Sequence, residues 1–277
     1  MMQKISTYPA IARIVLFLLI LALAWLPIAV PLYFWLGTTT PLSVAPLILL
    51  YAMFVGWLRV WGRRVHGQPK PLPAHGLVPS AQNLQELGLG LVVGLISLGL
   101  LFGVEGWLGW LTWQPLPSAL PRLLIEGLLV GLGVGLAEEL LFRGWLLDEL
   151  RYDWGFTTAL WVTSLFYAGL HFIKPWSAIL AELPSFPGLL LLGLTLGLAR
   201  RRTHGRLGLA IGLHGGLVWG YYLIDVGDWV SYTRAVPDWA TGLNQNPLAG
   251  AMGVVFLVLV ALGVRYLPKR WPQIRDR

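Results

Sequence analysis

No cysteine occurs in the 277 residues, which removes disulfides, thiolate metal sites and thiol nucleophiles together. Charge is scarce as well: 12% of the residues are Asp, Glu, Lys or Arg, against about 25% in an average soluble domain. A phosphate loop is also missing, because the G-L-G-V-G string at 131–135 is followed by neither Lys-Ser nor Lys-Thr. Any chemistry therefore rests on carboxylates, imidazoles or hydroxyls.

Apolar residues fill the space that charge leaves, at 56% of the chain with a mean hydropathy of +0.68. Runs long enough to cross a bilayer, which takes about 17 to 25 residues, lie near 11–35, 41–61, 87–110, 122–150, 156–173, 187–203, 207–224 and 247–266. The expected fold class is all-α: a polytopic membrane bundle of about eight transmembrane helices. Lys and Arg collect in cytoplasmic loops, and with the N-terminus inside, 16 of the 20 basic residues fall on that side. These are Lys4, Arg13, Arg59, Arg63, Arg64, Lys70, Arg151, Arg200, Arg201, Arg202, Arg206, Arg265, Lys269, Arg270, Arg275 and Arg277; Arg122, Lys174 and Arg234 fall outside, and Arg143 lies within a span. Both termini are thus expected in the cytoplasm, in a bacterial plasma (inner) membrane. The net charge of +7 then reports topology, and no nucleic-acid partner is implied. Trp107, Trp110, Trp113 and Trp176 fall where an outer aromatic belt would sit.

Ala22-Leu23-Ala24 resembles a signal-peptide cleavage site, but the run stays apolar to Trp35, longer than an ordinary h-region. A retained helix is expected. Prolines 69, 71, 73 and 79 mark a cytoplasmic linker, dividing the chain into two leading helices and linker (1–83) and a six-helix membrane domain (84–277). Glycines four apart, at 90 and 94, at 99 and 103, and at 127, 131 and 135, permit close helix approach.

Few polar residues remain at membrane depth. Glu138, Glu139 and Arg143 lie in A-E-E-L-L-F-R-G-W, His171 in S-L-F-Y-A-G-L-H-F and His214 in G-L-H-G-G-L-V-W-G-Y-Y. Ionisable groups in hydrocarbon cost roughly 2.5 to 3.5 kcal/mol each on insertion scales and commonly mark a functional cavity. At 1.5 Å of rise per residue, Glu138, His171 and His214 sit roughly 18, 22 and 12 Å from the cytoplasmic ends of their helices, close enough to meet. Glu139 and Arg143, four apart, form an ion pair on one helix face. Glu138 points about 100° away and is left for His171, His214, water or a metal. His66, His75 and His204 fall in loops or at a helix end, where solvation is expected.

The E-E-x-x-x-R string at 138–143, the aromatic-to-histidine spacing from Tyr167 to His171 and the later His214 resemble the CPBP family, the CAAX-processing and bacteriocin-processing intramembrane proteases. The likeness covers about 120–224. It implies an intramembrane endopeptidase acting near the cytoplasmic side, in which Glu138 activates water, His171 helps orient and deprotonate it, His214 stabilises the oxyanion, and Glu139 and Arg143 shape the site. It allows two mechanisms: a metal-free glutamate type, favoured here, or a zinc type with Glu138, His171 and His214 as ligands and an open fourth position. The implied partner is a peptide or protein substrate, lipid-modified or not, met among membrane lipids.

Two positions depart from the family pattern. Tyr167 replaces a frequent Phe, and Val218 stands four residues after His214 where a polar residue, commonly Asn, is usual. Trp219 or Tyr221 could supply the missing donor. Rival classes fit poorly: no H-E-x-x-H and no G-x-S-G occur, and Tyr152-Asp153 lacks a following G-x-G-D. Alternatives to an active protease are a silent family member serving as scaffold or bacteriocin-immunity factor, or a transporter with a buried Glu/Arg/His site.

Overall fold

The glycine pattern sets the helix packing. In the computed structural model, which describes residues 2–37, 44–243 and 246–267, helix α4 (Ala81–Trp107) and helix α9 (Gly208–Asp225) meet backbone to backbone. A Cβ at Gly90 would stand 2.4 Å from the Leu209 carbonyl oxygen, and one at Gly212 only 2.0 Å from that of Leu87. The opposite face of α9 meets α5 (Leu120–Glu138) in the same way, where a Cβ at Gly131 would lie 2.4 Å from the Gly215 oxygen. Helix α9 is therefore the central post. Gly99 and Gly103, expected to pack likewise, have no neighbour within 4 Å.

The remaining helices surround this trio. Helices α1 (Ala10–Leu36) and α2 (Ala45–Arg64) lead, and a one-turn α3 (Pro71–Ala74) lies in the proline-rich linker. Helix α5 runs on through a wider π-helical stretch, Glu139–Leu146, into α6 (Leu147–Leu170). A short α7 (Trp176–Glu182) precedes α8 (Phe186–Arg202), and a one-turn α10 (Asp238–Thr241) precedes α11 (Ala251–Tyr266).

Every apolar run seen in the sequence contains a helix, but among the described residues five helical stretches are long and apolar enough to cross a membrane: Ala10–Leu36, Ala45–Arg64, Ala81–Trp107, Leu120–Leu170 and Trp176–Arg202. The difference from eight has local causes. The runs at 122–150 and 156–173 join into one 51-residue stretch, broken in direction at Gly155, whose φ of 70° is left-handed. Helix α9 carries five glycines and His214, which lower its hydropathy, and α11 has only 16 residues. Positions 41–43 of the second expected span, and Lys269, Arg270, Arg275 and Arg277 of the orientation set, lie outside the described residues.

Among the described residues one two-stranded ribbon interrupts the helices. Strands β1 (Leu111–Trp113) and β2 (Val230–Tyr232) pair antiparallel, Thr112 opposite Ser231, joining the segments that follow α4 and α9. Tyr232 fastens this ribbon to α4 by donating its hydroxyl to Glu105 Oε2 at 3.2 Å. Burial, and then the Glu105 carboxylate beside it, push the phenol pKa up, so the hydroxyl keeps its proton and remains a donor.

Candidate active site

The two glutamates of the motif have opposite environments. Glu139 and Arg143 are fully buried and paired, Arg143 Nη1 donating to Glu139 Oε1 at 2.9 Å. The expected pair forms, although the helix there is wider than an ordinary α-helix; such π-turns commonly accompany functional sites. His214 Nδ1 also lies 2.9 Å from Glu139 Oε1. A carboxylate accepts, so Nδ1 is the protonated nitrogen and Nε2 faces away from the pair.

Glu138, one residue earlier, lies outside that pairing. Its side chain is 31% exposed, and Oε2 is buried with no hydrogen-bond partner among the described residues. That oxygen sits 3.9 Å from His214 Nε2, too long for a hydrogen bond.

Tyr167 organises the rest. Its ring stacks edge-on with His171 at 4.8 Å and His214 at 6.2 Å, while the Arg143 guanidinium lies over its face at 4.3 Å. His171 Nδ1 donates to the Tyr167 carbonyl at 2.7 Å, which leaves the lone pair of the neutral imidazole on Nε2. The tyrosine in place of the usual Phe therefore keeps an aromatic platform.

Glu138, Tyr167, His171 and His214 all line one cavity of about 340 Å³. Its other walls are mainly leucines of α4, α8, α9 and α11, with Ser97, Val218 and Tyr221. The two substitute donors are thereby separated. Tyr221 faces the cavity, whereas the Trp219 ring packs against Gly127 and Gly131 of α5, its Nε1 buried without a partner among the described residues. Among the described residues no group of three His, Cys, Asp or Glu is placed to hold a metal ion, so the Glu138, His171 and His214 set does not converge as ligands here.

A second set of buried charges lies beyond the site, where sequence reasoning expected solvent. Arg200 clasps Asp148 through two hydrogen bonds of 2.9 Å and donates to the backbone carbonyl of Arg143. His75 Nδ1 lies 2.9 Å from the same Asp148. His75 is thus buried, not solvated. His66 is likewise engaged, 2.7 Å from Glu149, which also accepts from Arg13 at 2.9 Å and Trp61 at 2.8 Å. Arg206 pairs with Glu86, and Asp153 of the Tyr-Asp pair is bound by Arg13 at 3.2 Å. A signal existed in the Asp148-Glu149 pair just after the motif, but the partners are 52 to 136 residues away, out of reach of any spacing rule.

Residues 120–220, which supply all five site residues, match the family model described as Type II CAAX prenyl endopeptidase Rce1-like. No curated protein and no solved structure matches the chain. The apolar helices make this an integral membrane protein, and the match over residues 120–220 makes that stretch similar to a Rce1-like CAAX endopeptidase domain, consistent with a protease of the CPBP family.

Proposed function

We propose that the chain hydrolyses peptide bonds within the membrane by a carboxylate-activated water, without a metal step. The observation that carries this reading is Glu138, which lines a cavity that two imidazoles share and has no hydrogen-bond partner for Oε2 among the described residues. Glu138 takes a proton from water as the water oxygen bonds to the scissile carbonyl carbon, and His171 Nε2 orients that water. The developing oxyanion is met by His214 in its imidazolium form, which donates from Nε2 while Glu139 accepts from Nδ1, and which keeps its proton throughout. The proton held by Glu138 then passes to the leaving nitrogen as the C–N bond breaks. Glu139 and Arg143 hold His214 and Tyr167 in register.

Eight membrane crossings with both ends in the cytoplasm of a bacterial cell, the last six forming the working domain, complete this reading. The zinc alternative needs Glu138, His171 and His214 gathered on one point, and their placement does not favour it.

A second reading, a catalytically silent member acting as scaffold or immunity factor, is favoured by Val218, an apolar side chain in the cavity wall beside His214. Loss of one oxyanion donor costs about 100- to 1,000-fold in other proteases. The deciding assay is cleavage of a quenched fluorescent peptide library by detergent-purified protein, with Glu138→Ala and His171→Ala alongside, each with and without chelator. Cleavage abolished in both variants and indifferent to chelator is expected. Chelator sensitivity reversed by zinc would establish the metal type, and equal cleavage by all three proteins would remove the assigned site. Silence of the wild type, with cleavage gained by Val218→Asn, would establish the second reading.

A further inference from the structure

We infer that the Tyr167 hydroxyl is a second oxyanion donor, acting beside His214 from the facing wall of the cavity. The inference deepens the proteolytic reading and rests on it.

Tyr167 is buried, and a polar group left unpaired in such a place is a liability unless something arrives to pair with it. The hydrogen bond Tyr167 makes beyond the helix ladder is at its backbone carbonyl, which accepts from His171; its hydroxyl has no partner among the described residues. Nor is that oxygen among the enclosed polar atoms that lack a partner. It therefore opens onto the cavity that Tyr167 lines. A phenol is protonated at neutral pH and can donate.

The surroundings aim it at the chemistry. The ring lies 4.8 Å from the imidazole of His171 and 6.2 Å from that of His214, next to both groups that handle the water and the oxyanion. Of the charges around the hydroxyl, the Glu138 carboxylate acts on it most strongly, ahead of the Arg143 guanidinium that covers the ring. The oxygen thus projects toward the acid that activates water. A donor fixed beforehand at the place where negative charge develops is what lowers the barrier to a tetrahedral intermediate.

The other polar groups of the cavity are engaged or distant. Ser97 and Ser185 donate to the carbonyls of Gly94 and Glu182 at 2.9 and 2.7 Å, and Lys174 is paired with Glu182. The Tyr221 hydroxyl lies beside the Asp225 carboxylate, and seven residues of helix place Tyr221 roughly 10 Å beyond His214. Asn246 sits with Glu182 and Ser185 in a separate, smaller hollow. One turn past His214, Val218 offers no donor at all. The two departures from the family pattern thereby offset each other: a donor lost at 218 on α9 is matched by a donor gained at 167 on α6.

A double-mutant cycle tests this. Wild type, Tyr167→Phe, Val218→Asn and the double variant, with Glu138→Ala as control, are purified in detergent and assayed on the quenched fluorescent peptide library, kcat and KM being measured on the best-cleaved peptide. Tyr167→Phe is expected to lower kcat about 100- to 1,000-fold, the usual loss for one oxyanion donor, with KM and the thermal midpoint little changed because the ring stays. Adding Val218→Asn to Tyr167→Phe is expected to return most of the lost kcat, a rescue that a packing role for Tyr167 would not give. Tyr167→Phe cleaving like wild type, or losing as much with Val218→Asn as without it, overturns the inference; an inert Glu138→Ala in the same assay leaves the proteolytic reading standing. A silent wild type that Val218→Asn awakens also overturns it, because Tyr167 then fails to replace the missing donor. Cleavage by Glu138→Ala equal to wild type, or silence of all four other proteins, overturns the proteolytic reading and the inference together.

Discussion

Adjacent glutamates in one helix differ here in almost everything but identity. Glu139 has Arg143 and His214 on a single oxygen at 2.9 Å each, while Glu138 has a cavity and no partner for Oε2. Removing Arg143 strands a buried charge, which typically costs about 3 to 5 kcal/mol. Arg143→Ala should therefore lower the thermal midpoint in detergent markedly, and more than Arg201→Ala at the exposed end; equal midpoints would show that the pair carries no structural weight. The Glu139–Arg143 pair was legible because four-residue spacing on a helix is a local rule, and the freedom of Glu138 followed from the same geometry. The partners of His75, His66 and Asp148 were not legible, because they come together only when the linker, α6 and α8 are packed.

At the scale of elements, glycine spacing announced a close approach without naming the partner. Gly90, Gly94, Gly131 and Gly135 do face a neighbour, but that neighbour is one helix, α9, with Gly212, Gly215 and Gly216 turned to both sides. The sequence drew attention to α9 for His214, whose position between α4 and α5 those glycines set. Gly212→Ala would push a methyl group to about 2.0 Å from the Leu87 oxygen, a backbone atom that cannot swing aside. Overpacking of this kind costs typically about 1 to 3 kcal/mol. Expected are a lower thermal midpoint and reduced turnover as His214 shifts, against little change for Gly99→Ala, which has open space. A neutral Gly212→Ala would mean that the helices lie farther apart than described. The π-helical stretch, by contrast, had no visible signature, because ELLFRGWL satisfies ordinary helical spacing.

Across the whole molecule, the leading helices are fastened to the back of the motif helix. Phe17 of α1 lies 4.1 Å from Trp145 and meets Phe54 and Trp61 of α2 edge-on at 5.9 and 5.4 Å, and Arg13 reaches Glu149. Truncating such a core aromatic costs about 3 to 5 kcal/mol. Phe17→Ala should lower the unfolding midpoint of the entire protein in a single transition; a separate early transition would show that α1 and α2 unfold alone. The apolar runs foretold where helices lie, and Gly155 falls in the gap left between the fourth and fifth. The β1–β2 ribbon was invisible, since three-residue strands 119 positions apart leave no periodic trace. That ribbon has a mechanical consequence. It buckles the ends of α4 and α9 together, and glycine contacts weld the same two helices along their length. The wall bearing His214 is thus the fixed jaw of a vise, and the travel needed to admit and release a chain falls to the opposite jaw, formed by α7, α8 and α11.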